Sequence, residues 1–593
     1  MAKSDARFEY QARLSRTDHD LSQKFGFTTA PGILSPIFAD IATPGDSYYI
    51  KHDLGFLRTA PLIAPSMIDV KVHFESFFVP MQMIYQPFEN SMFSLTEILS
   101  SNYRVADFKN QNLPLFRPDD VWLNYGAGSG NVEPKIRFDA FRLFDLLDLP
   151  TLGFPGKEDF TYQFGNFFPW QLCAYQCIYQ HYYRLDDKEQ FDHDSFNLDK
   201  YYHLEDYVSE LPANLQKFIK IHYRPWKFDY FTSSYMSPIV SGANTQNVMP
   251  RGQYSSLNDS VTYARNSVES PTENNPEKSA FSAAFNIPSG SSLSAGQAMA
   301  AINTAAIRQI FANEKLAMIT GRTKKNYDSQ VLAHYGVSVP HDVKHDISFI
   351  GHDEYELKVG EVTSLASTDL SPLGDLAGKG WAFGEAKKTH KFTAPCHGVV
   401  MTIFSVEPMI RYEGTAQRIN FVSTALDIPI PEYDRLGNQP MFYREFDNHD
   451  TPGDILRNNA GVWKERYYCN KRRYDRVSQA FTQKPVQGFT RDLTNNYAAY
   501  FVHDTPFTIH PTSPVSYQYS ENAYYINPSC LDALMLVSYS DSWLDGGTEQ
   551  APTEDYDIYP YLAFARDPFI VDSNLQVKKV SWMSKDGEPI YPY

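Results

Sequence analysis

Residues Asp69 to Pro80, reading Asp-Val-Lys-Val-His-Phe-Glu-Ser-Phe-Phe-Val-Pro, constrain this chain more than any other stretch. Val70, Val72, Phe74, Ser76 and Phe78 alternate with Lys71, His73, Glu75, Phe77 and Val79. A period of two turns one of these rows inward on a sheet. Phe77 and Val79 make the other row apolar at its end, so the strand starts half-exposed and finishes covered on both faces. Pro80 lacks the ladder donor and stops it. The near-continuous apolar run Val399 to Val406 predicts a buried strand, and Ala498 to Val502 a further one. Strands this far apart in sequence, with long intervening segments, fit a jelly roll better than a βαβ sheet. The predicted class is mainly β, an eight-stranded jelly roll β-sandwich with long helical and loop insertions.

Forty Tyr and 41 Phe among 593 residues describe an ordered chain rich in strand formers. The net charge of -17 argues against wrapping nucleic acid unaided, because neutralising phosphates takes an excess of Lys and Arg. Met1-Ala2-Lys3-Ser4-Asp5 lacks the layout of a signal peptide and no run of about 18 apolar residues occurs. The expectation is synthesis in a cytoplasm and no membrane span. Cys173, Cys177, Cys396, Cys469 and Cys530 are scattered, and no second close pair completes a zinc site with Cys173 and Cys177, so they read as buried thiols.

Residues 1–68 are rich in turn formers, with Pro31-Gly32 and Pro44-Gly45, and their basic residues are balanced by Asp5, Glu9, Asp18 and Asp20. They read as an extended arm on neighbouring surfaces. From 69 to 233 the chain gives the first part of the jelly roll with inserted helices. Phe141 to Leu149 looks helical, and Pro169 starts a helix striped by Leu172, Tyr175, Tyr179, Tyr182 and Tyr183. Ser, Asn, Thr, Pro and Gly dominate residues 234–293, too polar to fold tightly alone and consistent with a linker. Residues 294–593 return to order. Ser294 with Gln297 forms a capping box, and Met299, Ile302, Ala306, Ile310 and Ala317 mark a helix face up to Gly321. Remaining strands and a C-terminal extension follow.

Several motifs carry a resemblance. Pro44-Gly45-Asp46, the Arg58-Thr59 loop to Pro65 and Phe77-Phe78-Val79-Pro80 come first. Asp145 to Pro150, Ala174 to Tyr179 ending in Tyr182-Tyr183-Arg184, and Asp229-Tyr230-Phe231-Thr232-Ser233 follow in order. Ile302-Asn303 with Arg308, His334-Tyr335-Gly336-Val337, Phe349-Ile350-Gly351 and a distant Arg566-Asp567-Pro568-Phe569 complete the set. Together they resemble the major capsid protein of the Microviridae, nearest the gokushovirus-like branch. The resemblance implies a T=1 icosahedral virion shell of about 60 copies around single-stranded DNA, assembled in a bacterial cytoplasm. It implies that 234–293 is a surface protrusion, which can also touch host surface glycans. Sixty chains at -17 carry roughly -1000, so a small basic DNA-binding phage protein is an expected partner.

The stretch Trp463 to Arg476 holds six basic residues in fourteen, interleaved with rings. Lys464, Arg466, Tyr467, Lys471, Arg472, Arg473, Tyr474 and Arg476 offer phosphate neutralisation with base stacking, as single-strand binding requires. Ion pairs between subunits are the equal alternative. His341 and His345 have helical metal spacing but lack the Glu that follows the first His in hydrolytic zinc sites. Asp186, Asp187, Asp192 and Asp194 read as a solvated acidic loop rather than a glycosidase pair. No nucleophile elbow or phosphate loop with Lys occurs, so the expectation is a structural protein without cofactor, not an enzyme. The rival reading is a secreted jelly roll protein that binds or cleaves carbohydrate.

Overall fold

The computed structural model describes residues within 16–88, 142–149, 168–199, 217–235, 312–337, 346–363, 376–442, 445, 459–479, 490–492, 525–531 and 567–583. The chain forms two compact units, one of residues 1–232, 345–415 and 474–593, the other of 233–344 and 416–473.

The first unit begins with β1 (Thr17–Asp20), β2 (Gln23–Thr29), β3 (Ser35–Ala42), β4 (Ser47–Thr59) and β5 (Val70–Pro80). Helices α1 (Met81–Ile84) and α2 (Trp170–Ile178) follow. Then come β6 (Ser348–Glu356), β7 (Lys358–Thr363), β8 (Leu376–Gly384), β9 (His390–Thr393), β10 (Gly398–Pro408) and β11 (Arg411–Glu413). The second unit contains α3 (Tyr327–Tyr335), β12 (Asn438–Phe442), β13 (Asn459–Glu465) and α4 (Tyr468–Lys471). The chain ends in the first unit with β14 (Thr490–Asp492) and β15 (Phe569–Ser581).

The fold is mainly β, built from antiparallel sheets. Four strands pair in the order β3-β10-β5-β6, and seven form a sheet with the path β1-β15-β4-β8-β7, β2 joining β15 and β9 joining β4. The strand that dominates the sequence lies at the centre of the smaller sheet: β5 pairs β10 over its whole length, Phe78 opposite Val400 and Phe74 opposite Phe404. It runs from Val70 to Pro80 with only Lys71 part-exposed, and every residue of β10 is buried. Continuous burial follows because both faces of this sheet are covered.

One face meets the larger sheet. Val72 and Phe74 of β5 and Phe404 and Val406 of β10 share a core with Leu54 and Leu57 of β4 and Val571 of β15. Side chains of two sheets in one apolar layer make a sandwich. On the other face, Phe77, Val79, Met401 and Ile403 pack against Leu172, Cys173, Tyr175 and Ile178 of α2. Pro169 caps α2, which continues as a π-helical turn from Tyr179 to Tyr183, so the tyrosine stripe runs straight into the core. Cys173, Cys177, Cys469 and Cys530 are buried thiols and Cys396 is half-buried.

Residues 17–59 are not an extended arm: they enter the sandwich as β1 to β4. The turn formers make corners between strands. Gly32 has φ of 75° and Gly45 φ of 89°, left-handed values that glycine adopts without a Cβ penalty. Polar His52 interrupts the inward row of β4, and Asp53, buried in the opposite row, breaks the alternation and hides its period. β15, near the C-terminus, ties the chain ends together by pairing with β1, β2 and β4. Residues 142–146 are helical, and Asp148 at φ 54° ends that turn ahead of Pro150. The predicted helix is helical at its described positions between 312 and 322, while its capping box, the strand at 498–502, residues 236–293 and His341 with His345 lie outside the described residues.

Candidate nucleic-acid interface

The basic stretch folds into two places, because 463–473 belong to the second unit and 474–476 to the first. In the second unit β12 and β13 pair antiparallel, Gln439 opposite Lys464 and Pro440 opposite Trp463. Trp463 also bridges to Tyr235 through two backbone hydrogen bonds of 2.8 and 2.9 Å. The chain then turns at Tyr467, held in the left-handed region at φ 57°, and enters the single turn of α4.

This geometry sorts the basic residues. Lys464 is 1% exposed and donates to Ser233 Oγ. Tyr467 is buried, and the Arg466 guanidinium lies 5.3 Å from its ring and from that of Tyr433. Lys471, Arg472 and Arg473 are exposed in sequence at the end of α4. Lys471 pairs with Asp434 at the surface, Arg472 lies 3.9 Å from Glu465, and Arg473 donates to Gln417. Surface pairs of this kind contribute about 0–1 kcal/mol, so phosphates can displace them at little cost.

A cleft of about 350 Å³ opens in the same unit, with Arg418, Ile419, Val422, Ile428, Phe442 and Arg466 in its walls. Arg418 stacks on Phe442 at 4.0 Å and donates to the Pro440 carbonyl. Beneath it Glu445, fully buried, accepts from the Phe442 backbone and from the Tyr468 hydroxyl, and lies 3.5 Å from Arg418. Arg418 is thus held by Glu445 and the Pro440 carbonyl, and Arg466 by its two rings.

Tyr474 and Arg476, in the first unit, have other surroundings. Tyr474 is buried against Tyr230 and Phe231, each at 5.0 Å, and against Tyr412 at 5.9 Å, so its ring fills a core. Arg476 is exposed at a mixed-charge cleft of about 510 Å³ lined also by Asp69, Lys71, Glu356, Arg411 and Asp475. The acidic loop is structural in part: Asp186 pairs with Arg184, and Asp192 caps a short helical turn and meets Lys217 at 2.9 Å.

Sequence comparison decides what kind of protein carries this surface. The family described as Capsid protein (F protein) matches residues 9–108 and 149–496. The chain belongs to this capsid family. No curated protein matches it significantly. Membership makes it a structural virion component of the Microviridae type that assembles into a shell. Within the F-protein frame, Asp229 of the Asp-Tyr-Phe-Thr-Ser motif is a turn anchor. Its Oδ1 accepts from the backbone N–H of Phe231 and Thr232, each at 2.8 Å, and its Oδ2 from the Tyr412 hydroxyl. Among the described residues no helix is long and apolar enough to cross a membrane.

Sequence reasoning missed the buried carboxylates. Glu75 takes hydrogen bonds from Arg224 and Tyr183, and Glu407 faces His73 at 2.9 Å. Burial raises the pKa of both carboxyls, yet Arg224 on one and His73 with Arg224 on the other prevail and hold them below the usual range. Their partners are more than a hundred residues away in sequence, so no local spacing announces them.

Proposed function

We propose that this chain is the major capsid subunit of a T=1 icosahedral shell of about 60 copies enclosing a circular single-stranded DNA genome. The observation that carries the reading is the capsid-family match across both stretches, 9–108 and 149–496. Shell closure suits a rigid three-layer unit whose sheet is buried on both faces, since many modest contacts become cooperative once a closed symmetry is reached. Assembly takes place in the bacterial cytoplasm, and residues 234–293 form the outward protrusion that can touch host glycans.

The DNA contact proposed from the sequence narrows to the exposed part of the basic stretch. Lys471, Arg472 and Arg473, beside Arg466 over its two rings, face phosphates and bases of the packaged strand, and Arg476 adds a further contact in the first unit. Lys464 and Tyr467 pack inside the second unit and Tyr474 inside the first. With a net charge of -17 per chain, a small basic phage protein supplies the remaining neutralisation. Particles carrying K471E/R472E/R473E test this: the DNA content per particle falls severalfold while shells still form. Normal content and ordering of DNA in such shells would remove the patch from the account.

A further inference from the structure

Outside the basic surface, one cluster has the donor set of a metal site. His52 on β4 and His390 on β9 belong to the larger sheet, and Asp353 on β6 to the edge of the smaller one. Three donors distant in sequence therefore meet across the two layers of the sandwich. Asp353 Oδ2 lies 2.7 Å from His52 Nδ1 and 2.8 Å from His390 Nε2. The His52 side chain is fully buried, and those of Asp353 and His390 are each 14% exposed, so a small solute can reach the cluster.

Three features make this more than a chance meeting of polar groups. First, Asp353 faces no lysine or arginine among the described residues, only the two imidazoles. A half-buried carboxylate is ordinarily compensated by a cation. Second, the rings are held from behind. His52 Nε2 lies 2.6 Å from Ser76 Oγ, which lies 2.8 Å from Thr402 Oγ1, and Phe74 stacks on the ring with an interplanar angle of 17°. Such outer hydrogen bonds fix the tautomer and aim of a ligand imidazole. Third, β6 leaves space for the other ring. A Cβ at Gly351 would sit 2.1 Å from His390 Nδ1, so the absent side chain makes the cradle.

We propose that His52 Nδ1, His390 Nε2 and a carboxylate oxygen of Asp353 bind one divalent ion of the zinc class, clipping the two sheets together, with water completing its coordination. Two imidazoles and a carboxylate without thiolate suit zinc, cobalt or nickel rather than copper(I) or calcium. Bonds of about 2.0–2.1 Å in a tetrahedral shell set donors about 3.3 Å apart, so the Asp353 oxygen draws back from each imidazole nitrogen by roughly half an ångström on binding. The proton on the His52 ring then resides on Nε2 and is donated to Ser76 Oγ, which leaves Nδ1 free for the ion. A second cluster, His73, His352 and Glu354, is less suited, because Lys71 already pairs with Glu354.

The test uses the full-length chain, stripped with chelator and titrated with zinc chloride or cobalt chloride. The expected result is one ion per chain by calorimetry, visible cobalt bands, and a folded-to-unfolded ratio about 100-fold higher at free zinc 100 times Kd. H390A, D353N and G351A abolish binding, G351A without touching a ligand, whereas H352A retains it. Absence of stoichiometric zinc binding by the unaltered chain would overturn the site. So would binding that survives H390A and D353N, or that is lost in H352A alone.

Discussion

Arg142 reaches both carboxylate oxygens of Asp567, at 2.8 and 2.9 Å, with side chains 3% and 0% exposed. Thr28 donates to the same carboxylate at 2.7 Å, so one buried pair fastens the 142–146 turn, the start of β15 and the end of β2. Removing one partner leaves the other charge buried and unpaired. Arg142→Ala is expected to destabilise the first unit by about 3–5 kcal/mol, read as the shift of its denaturation midpoint. Titration acts on the same scale. The depressed carboxyls of Glu75 and Glu407 contribute stability above their unfolded pKa, and it is lost as pH falls through their folded values. His222 adds to this. Burial, aided by Lys220, holds its ring neutral, stacked on Tyr179 at 3.5 Å, while the unfolded chain protonates it below about pH 6.5. In all three cases the unfolded chain binds more protons, so stability rises with pH. Thermal midpoints should therefore fall from pH 7.5 to pH 5 through His222 and fall further below about pH 4.5 through the two carboxyls, and a midpoint higher at pH 5 than at pH 7.5 would contradict the His222 assignment.

At the scale of the element, β10 shows what packing on both faces demands. Phe404 contacts Phe27 and Phe74 edge-on at 5.2 and 5.1 Å and is fully buried. Phe404→Ala should cost about 3–5 kcal/mol in a denaturant titration, against about 0.5–1.5 kcal/mol for a milder Ile403→Val. β5 and β10 were legible in the sequence because their apolar rows are long and unbroken, and α2 because Pro169 and the tyrosine stripe mark its start and face. The strands of residues 17–59 were not, since His52 sits where the period of β4 calls for an apolar residue and the neighbouring Asp53 is buried out of step with it, and their partners lie on distant strands. β15 alternates cleanly through Phe569, Val571, Leu575 and Val577, but Ser573 and Lys579 in the same inward row dilute the signal. Lys579 is held there by Asp40 and Asp46, a compensation that only the fold reveals.

For the whole molecule, family membership was readable from ordered short motifs, although their work differs from what a functional motif suggests: Asp229 anchors a turn and Asp567 closes a buried ion pair. The basic stretch was readable as composition and not as a surface. A run of fourteen residues carries no information on the boundary between Arg473 and Tyr474, where the chain passes from one unit to the other. Nor does it announce that Lys464 and Tyr474 turn inward. The cluster of His52, Asp353 and His390 was invisible for the same reason, its members joining from three strands. Capsid membership asks of such a subunit that many copies close on themselves. Sedimentation or single-particle imaging of the purified native assembly measures that closure directly. A closed particle with about 4 MDa of protein, 60 × 67.8 kDa, is the predicted result. A chain that stays monomeric or forms only small oligomers in the presence of its phage partners would contradict it.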